Sequence, residues 1–435
     1  MKKIMTTMLF LVTAIISAQD KAVVAWLNAN AIAVEDAAQT TPLTAFAANT
    51  PQKFTDARVF GFGEATHHTK EFFDLKAKFF KYLVVKQGVN IFIMEDSYIE
   101  CYKVNQWLAG KTEGTARKMA GSLGFSLWRT QEVANLLQWI KDYNTGKPEG
   151  RQIRFYGMDD QSGEGINTLV RNYAKEQQIE IPETLLAVAD ACSNKRMIPA
   201  PAKEWSAENV AKLKELRDVI SGKNTTDTAT NEQMLHAIDV LIQYTNFIAK
   251  PNMELRDNDM FDNVKWIVEH EGENSKAFVW AHNDHINKKT LGYWGNTSIG
   301  RRLKDFYKDA YYSTGFDFGK GRLYGLTYTG KERKPQATTY NLEKPYGGTY
   351  AEVLIQVQPE IFFVDMATAE KDPVAAKFFS SNKKQLSAGG GGYHPKDRST
   401  SKRNYTESYD GLIFVENVSV PVYIKEAVPA VYYVE

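Results

Sequence analysis

The sequence predicts an α/β fold: a mostly parallel central sheet flanked by helices, with a helical insertion and a partly antiparallel C-terminal extension. Three observations carry this expectation. Short β-rich runs recur along the chain, amphipathic helix patterns separate them, and the strand signal vanishes between about residues 162 and 263. Strand, helix, strand within about 40 residues is the spacing of a right-handed βαβ crossover, which sets successive strands parallel.

The first twenty residues, MKKIMTTMLFLVTAIISAQD, have the form of a secretory signal: Lys2 and Lys3, an apolar run from Met8 to Ile16, then the small pair Ser17 and Ala18. The run is well short of the roughly 20 apolar residues that span a bilayer. Cleavage is expected near Ala18, with the mature chain periplasmic or secreted and free of the membrane. Residues 1–18 are thus read as signal, 19–161 as an N-terminal α/β half, 162–263 as a helical insertion and 264–435 as a C-terminal α/β half.

The β-rich runs are Arg58 to Gly61 (RVFG), Asn90 to Met94 (NIFIM), Gln152 to Tyr156 (QIRFY), Lys276 to Ala281 (KAFVWA) and Ala310 to Phe316 (AYYSTGF). Between the first two, Phe72, Lys76, Phe79 and Leu83 recur at helical spacing and stop at Gly88. A second helix pattern runs from Arg129 to Tyr143, followed by a turn cluster at 144–150. The insertion shows three amphipathic stretches near 165–176, 206–220 and 230–249, broken by a proline-bearing loop at 192–203. Shorter β runs at 322–327, 361–365 and 411–416 extend the sheet, and the tract from Ser387 to Lys396, with four glycines at 389–392, reads as a mobile loop.

Composition excludes several classes. Hydrophobic residues at 43% and charged residues at 24% describe a packed globular protein. Lys plus Arg number 53 against 52 Asp plus Glu, which leaves no basic field for a nucleic acid. Cys101 and Cys192 are too few for a disulfide scaffold and lack metal or redox spacing, so they are read as buried free thiols, with one bridge between them as the alternative.

Four of the seven histidines fall in two short motifs, GFGEATHH (61–68) and WAHNDHI (280–286), each at the end of a β-rich run. Ligands bind where parallel strands end and their loops converge. Glu95 and Asp96 follow the run NIFIM, and Asp159 and Asp160 follow QIRFYG, so four strands deliver acids or imidazoles to strand ends. Glu64 and His67, three apart, would share a face of a helical first turn, where the carboxylate fixes the imidazole tautomer; alternatively Thr66 is simply a helix cap. His68 is read as pointing away, to a supporting or solvent position. His282 and His285 lie in a polar loop after FVWA, Glu95 is a partner carboxylate, and Asp159 a weaker candidate of the same kind. Gly61 and Gly63 lack the third glycine of a dinucleotide turn. No G-x-S-x-G, H-E-x-x-H or P-loop pattern occurs. The carboxylates and imidazoles that remain suit general-base activation of water, or a metal such as zinc. A non-enzymatic site for a haem or metal-bearing ligand is a third reading.

The motifs GFGEATHHTKEFF, IFIMEDS, LWRTQEVANLLQWIKDYN, FYGMDDQS, LRDNDMFDNVKWIVE, FVWAHNDHI and SIGRRLKDFY, in that order, resemble the erythromycin esterase family. The resemblance implies an α/β hydrolytic fold in which a histidine activates water against an ester or lactone of a small molecule; no cofactor is expected. It implies catalytic roles for Glu64, His67, Glu95, His282 and His285. Macrolide-cleaving members place an arginine nine residues beyond the first catalytic histidine. Here that position is Lys76, which keeps the charge but loses the bidentate fork; with Asp159 it is read as substrate-binding.

Overall fold

The computed structural model describes residues 18–222, 228–289, 295–329, 334–395 and 399–425. The signal expected at residues 1–18 lies, apart from Ala18, outside the described residues. In chain order the strands are β1 (Ile32–Ala33), β2 (Val59–Phe62), β3 (Ile91–Ser97), β4 (Arg154–Asp159), β5 (Ala277–Trp280), β6 (Tyr311–Thr329), β7 (Lys334–Leu342), β8 (Ile361–Asp365), β9 (Lys384–Leu386), β10 (Thr400–Lys402) and β11 (Gly411–Val418). The fold is α/β, with a mainly parallel central sheet flanked by helices and a separate antiparallel pair, β9 and β10.

Two compact units divide the chain: Met1–Gln87, Ala281–Lys289 and Lys304–Val422 form the first, and Gly88–Trp280, Thr290–Leu303 and Tyr423–Glu435 the second. In the first, β6 runs parallel to both β2 and β11, with Val59 opposite Tyr311 and Gly411 opposite Thr314. β8 pairs antiparallel with β11 and with β1, and β7 folds back on β6. The VFGF run of β2 is buried on both faces, as expected of a covered parallel strand. Against it the Lys70–Gln87 helix buries Phe72, Phe73, Phe79 and Phe80. Edge-on ring contacts knit this core: Phe46 lies 4.9 Å from Phe79 and 5.1 Å from Phe54 and Phe363, and Phe72 lies 5.2 Å from Phe316.

In the second unit β3 lies between β4 and β5, parallel to both, with Ile91 opposite Arg154 and Ala277. Thr130 caps the Gln131–Asn144 helix by accepting the Val133 N–H at 3.3 Å. The insertion holds five helices among the described residues, Ile166–Glu176, Glu183–Ser193, Lys203–Ser221, Thr228–Ala249 and Met253–His270. Their apolar faces close on Val170, Leu213, Leu216, Val240, Leu241 and Ile248, with Ile99 beneath. Cys101 and Cys192 are free and buried.

Three sequence expectations change. The run at 322–327 is the continuation of β6, not a new strand. Glycines interrupt its apolar pattern for packing reasons: a Cβ on Gly315 would sit 2.5 Å from the Tyr409 ring. The helix Glu183–Ser193 was hidden by Pro182 in front of it and the proline loop behind. Finally, the Gly389–Gly392 tract, expected as a mobile loop, is laced to β6: Leu326 N–H donates to the Gly391 carbonyl and Tyr393 N–H to that of Tyr324, both at 2.8 Å.

Candidate active site

The chain leaves β2 at Phe62 and turns through residues 63–69 before the helix starts at Lys70. Glu64 and His67 therefore sit in a turn and not, as the spacing suggested, on a helical first turn. Nor does Thr66 cap the helix, since its hydroxyl bonds that of Thr69 at 3.1 Å. The turn still closes the same contact: His67 Nδ1 lies 2.6 Å from Glu64 Oε1. A carboxylate only accepts, so Nδ1 carries the proton and the lone pair of the neutral ring is on Nε2. The other Glu64 oxygen accepts from the Lys76 ammonium, and both residues are fully buried. Lys76, expected to bind substrate, is thus placed on the carboxylate that orients His67. A buried ion pair of this kind is held by its hydrogen bonds as much as by its charges.

His282 begins the short Asn283–Ile286 helix, its Nδ1 accepting the Asp284 N–H at 3.2 Å. Its ring stands 4.7 Å from that of His67, inclined by 48°, and its Nε2 is 3.4 Å from the Ala65 carbonyl. His285, buried on the same helix, donates its backbone N–H to the His282 carbonyl at 3.0 Å. Asn283 fixes this helix: its amide donates to the Phe316 carbonyl at 2.7 Å and accepts the Phe316 N–H at 3.0 Å, while its backbone N–H reaches the Glu64 carbonyl at 2.9 Å. That closeness explains the glycines of GFGE. A Cβ on Gly63 would lie 3.0 Å from Asn283 Cα, and one on Gly61 would lie 2.4 Å from the Tyr311 hydroxyl.

Two supports lie around these rings. The Asp284 carboxylate bonds the Arg403 guanidinium and lies 3.5 Å from His282 Nδ1. Burial disfavours its charge, but Arg403 and His282 outweigh burial and hold the carboxyl well below the usual range. His68, expected at a supporting or solvent position, is buried, stacks 4.1 Å from Tyr324 and bonds the Gly390 carbonyl at 3.0 Å. Burial pulls its pKa down to about 4, so it is neutral at working pH.

Glu95 and Asp159 belong to the second unit and come together there on Arg256 of the Met253–His270 helix. Arg256 Nη2 is 2.9 Å from Glu95 Oε1, and its Nε is 3.2 Å from Asp159 Oδ1. Beside them Asp160 is fully buried, with no hydrogen-bond partner for either carboxylate oxygen among the described residues. Burial first, then Asp159 and Asp259, raise its pKa well above the carboxylate range. Burial likewise lifts Asp259 to about 6. Asp96 accepts the Gly124 and Phe125 N–H groups at 2.9 Å, yet burial lifts it to about 7. Among the described residues no group of three or more His, Cys, Asp or Glu side chains is placed to hold a metal ion.

Sequence reasoning missed Arg256, Asn283, Asp284 and Arg403 as structural partners of the site residues. For Arg256 a signal existed, because LRDND puts more charge on one helix than a single solvent face accommodates; Arg256, Asp257 and Asp259 are all buried. Arg403 carried none.

Residues 84–418 match the family model described as erythromycin esterase, a span that includes Glu95, Asp159, His282 and His285 and begins after the Glu64–His67 turn. Erythromycin esterase type II of Escherichia coli is 25% identical over 309 residues, which are 62% of this chain and 71% of that one. The crystal structure of a succinoglycan biosynthesis protein superposes with a TM-score of 0.80 at 20% identity, covering 93% of this chain and 99% of that one. An erythromycin esterase mutant in its open conformation superposes with a TM-score of 0.65 at 15% identity, covering 88% and 96%. The two structures establish likeness of fold, and the family match extends over most of the sequence: this chain is a member of the erythromycin esterase family, and a hydrolase.

Proposed function

We propose that the protein is an exported esterase that cleaves an ester or lactone with water activated by His67. The observation that carries this reading is the 2.6 Å contact between His67 Nδ1 and Glu64, which leaves Nε2 as the basic nitrogen. In the first step His67 Nε2 takes a proton from water as the water oxygen bonds to the carbonyl carbon and the carbonyl π pair moves to oxygen. Glu64 stabilises the imidazolium, Lys76 keeps Glu64 in place, and His282, across from His67, donates to the oxyanion with His285 behind it on the same helix. In the second step the carbonyl re-forms, the C–O bond to the alcohol breaks, and the leaving oxygen takes the proton from His67. Glu95 and Asp159, in the second unit, hold Arg256 from two strand ends.

The rival metal-dependent reading is weakened by Lys76, whose ammonium takes the Glu64 oxygen that a divalent cation would need. Export rests on the pattern of residues 1–18, and N-terminal sequencing of the protein from periplasm or medium tests it. For the activity, the mature protein is incubated with macrolides and simple esters, and products are examined by mass. Gain of one water on some member of the panel is expected; a panel left intact, with the protein folded, overturns the reading.

A further inference from the structure

The hydrogen bonds of His282 favour the opposite tautomer from that of His67. At His67, Nδ1 faces a carboxylate and must be protonated. At His282, Nδ1 accepts the Asp284 backbone N–H, whereas Nε2 faces the Ala65 carbonyl oxygen at 3.4 Å, an arrangement that favours the proton on Nε2. One ring presents a lone pair on Nε2 and its neighbour presents an N–H there. That pairing is what a base and an oxyanion donor need.

Yet His282 Nδ1 also lies 3.5 Å from Asp284 Oδ2, and a carboxylate at that distance draws a proton onto the ring nitrogen it faces. What opposes this is Arg403. Arg403 is buried, and its guanidinium bonds the other Asp284 oxygen from beyond β10 and lies 5.8 Å over the Tyr409 ring. We propose that Arg403 is a positioning residue: by holding Asp284, it keeps the proton of His282 on Nε2 and so preserves the donor that faces the oxyanion. Among the described residues, His67 on the turn after β2 and Asp284 on the same helix face the His282 ring; Glu64 is bonded to His67, Lys76 to Glu64 and Arg403, from the β9–β10 side, to Asp284. Of these, Asp284 is the carboxylate within reach of Nδ1, and Arg403 is the cation bonded to it.

The inference rests on the reading that His282 faces the reacting carbonyl, so its test includes a readout that needs no turnover. Nitrogen-15 spectra of histidine-labelled protein distinguish protonated from unprotonated ring nitrogens. In the wild type His282 Nδ1 is expected unprotonated and Nε2 protonated. In Arg403→Gln, Asp284 captures the ring, Nδ1 becomes protonated, and the neutral ring loses the proton on Nε2. Then kcat is lower by about 10²-fold while KM stays within about threefold. Adding Asp284→Asn to Arg403→Gln removes the capturing carboxylate and returns the proton to Nε2, and Arg403→Lys keeps the wild-type tautomer. A merely structural ion pair predicts the wild-type tautomer in Arg403→Gln as well. Protonated Nδ1 in the wild type, or unprotonated Nδ1 in folded Arg403→Gln, overturns the proposal. Should Arg403→Gln fail to fold, Arg403→Met, which keeps the stem and loses the charge, takes its place with the same two outcomes. A protein with the expected spectra that hydrolyses nothing overturns the esterase reading instead.

Discussion

In the first unit Glu64 divides its two oxygens between an imidazole and an ammonium, whereas in the second Glu95 and Asp159 share a single guanidinium. All three carboxylates stand at or just beyond the ends of parallel strands, and in the sequence they look alike. Their partners separate them. An imidazole exchanges a proton at working pH, so a carboxylate bonded to it tunes a base; a guanidinium releases none, so carboxylates bonded to it are fixed charges. On the proposed reading the first cluster transfers a proton, while the second holds charge and geometry.

The largest expected effects test that contrast from both sides. His67→Ala should lower kcat on a cleaved ester by about 10²- to 10⁴-fold, the usual worth of general-base catalysis. Glu64 keeps its Lys76 partner, so the urea midpoint should move little. Near-normal turnover in that variant would place the base elsewhere. Arg256→Met is the mirror case. It takes the bonded cation from two buried carboxylates and should cost about 3–5 kcal/mol in urea unfolding, the cost of removing one partner from a buried pair. A stable Arg256→Met with impaired turnover would show that the second cluster does more than hold charge.

Much of this was legible before any coordinates. Strand runs such as NIFIM and KAFVWA are continuous and apolar because parallel strands are covered on both faces, and that signal is local. The phenylalanine stripe at 72–80 announced its helix for the same reason. The contact of Glu64 with His67 followed from their spacing, although a turn and not a helix delivers it. What could not be read is what distant residues do to one another. Arg403 meets Asp284 across 119 positions, and Arg256 meets Glu95 across 161. No periodicity encodes such pairs. The glycines 61 and 63 were visible, but their cause, the approach of Asn283 and Tyr311, was not.

The smallest effect concerns the acids beside Arg256, and its sign follows from their raised pKa values. Unfolded aspartate titrates near 3.9. Burial lifts Asp259 to about 6 in the fold and raises Asp160 further above its ordinary range. Between the unfolded and folded values the native state keeps protons that the unfolded chain has lost, so stability falls as pH rises through that window. Each such group contributes a slope of at most about 1.4 kcal/mol per pH unit. Asp96 and Asp317, both lifted to about 7 by burial, add to the same decline, so the informative quantity is the variant minus the wild type. Asp160→Asn removes one titrating carboxyl and its repulsion of Asp259 and Asp159. Urea unfolding at a series of pH values should show a shallower decline above pH 4 and a gain at pH 8, at most about 1.4 kcal/mol for each pH unit over which the native Asp160 keeps its proton. An unchanged slope would mean that Asp160 is already ionised at neutral pH, with Arg256 holding three carboxylates in place of two.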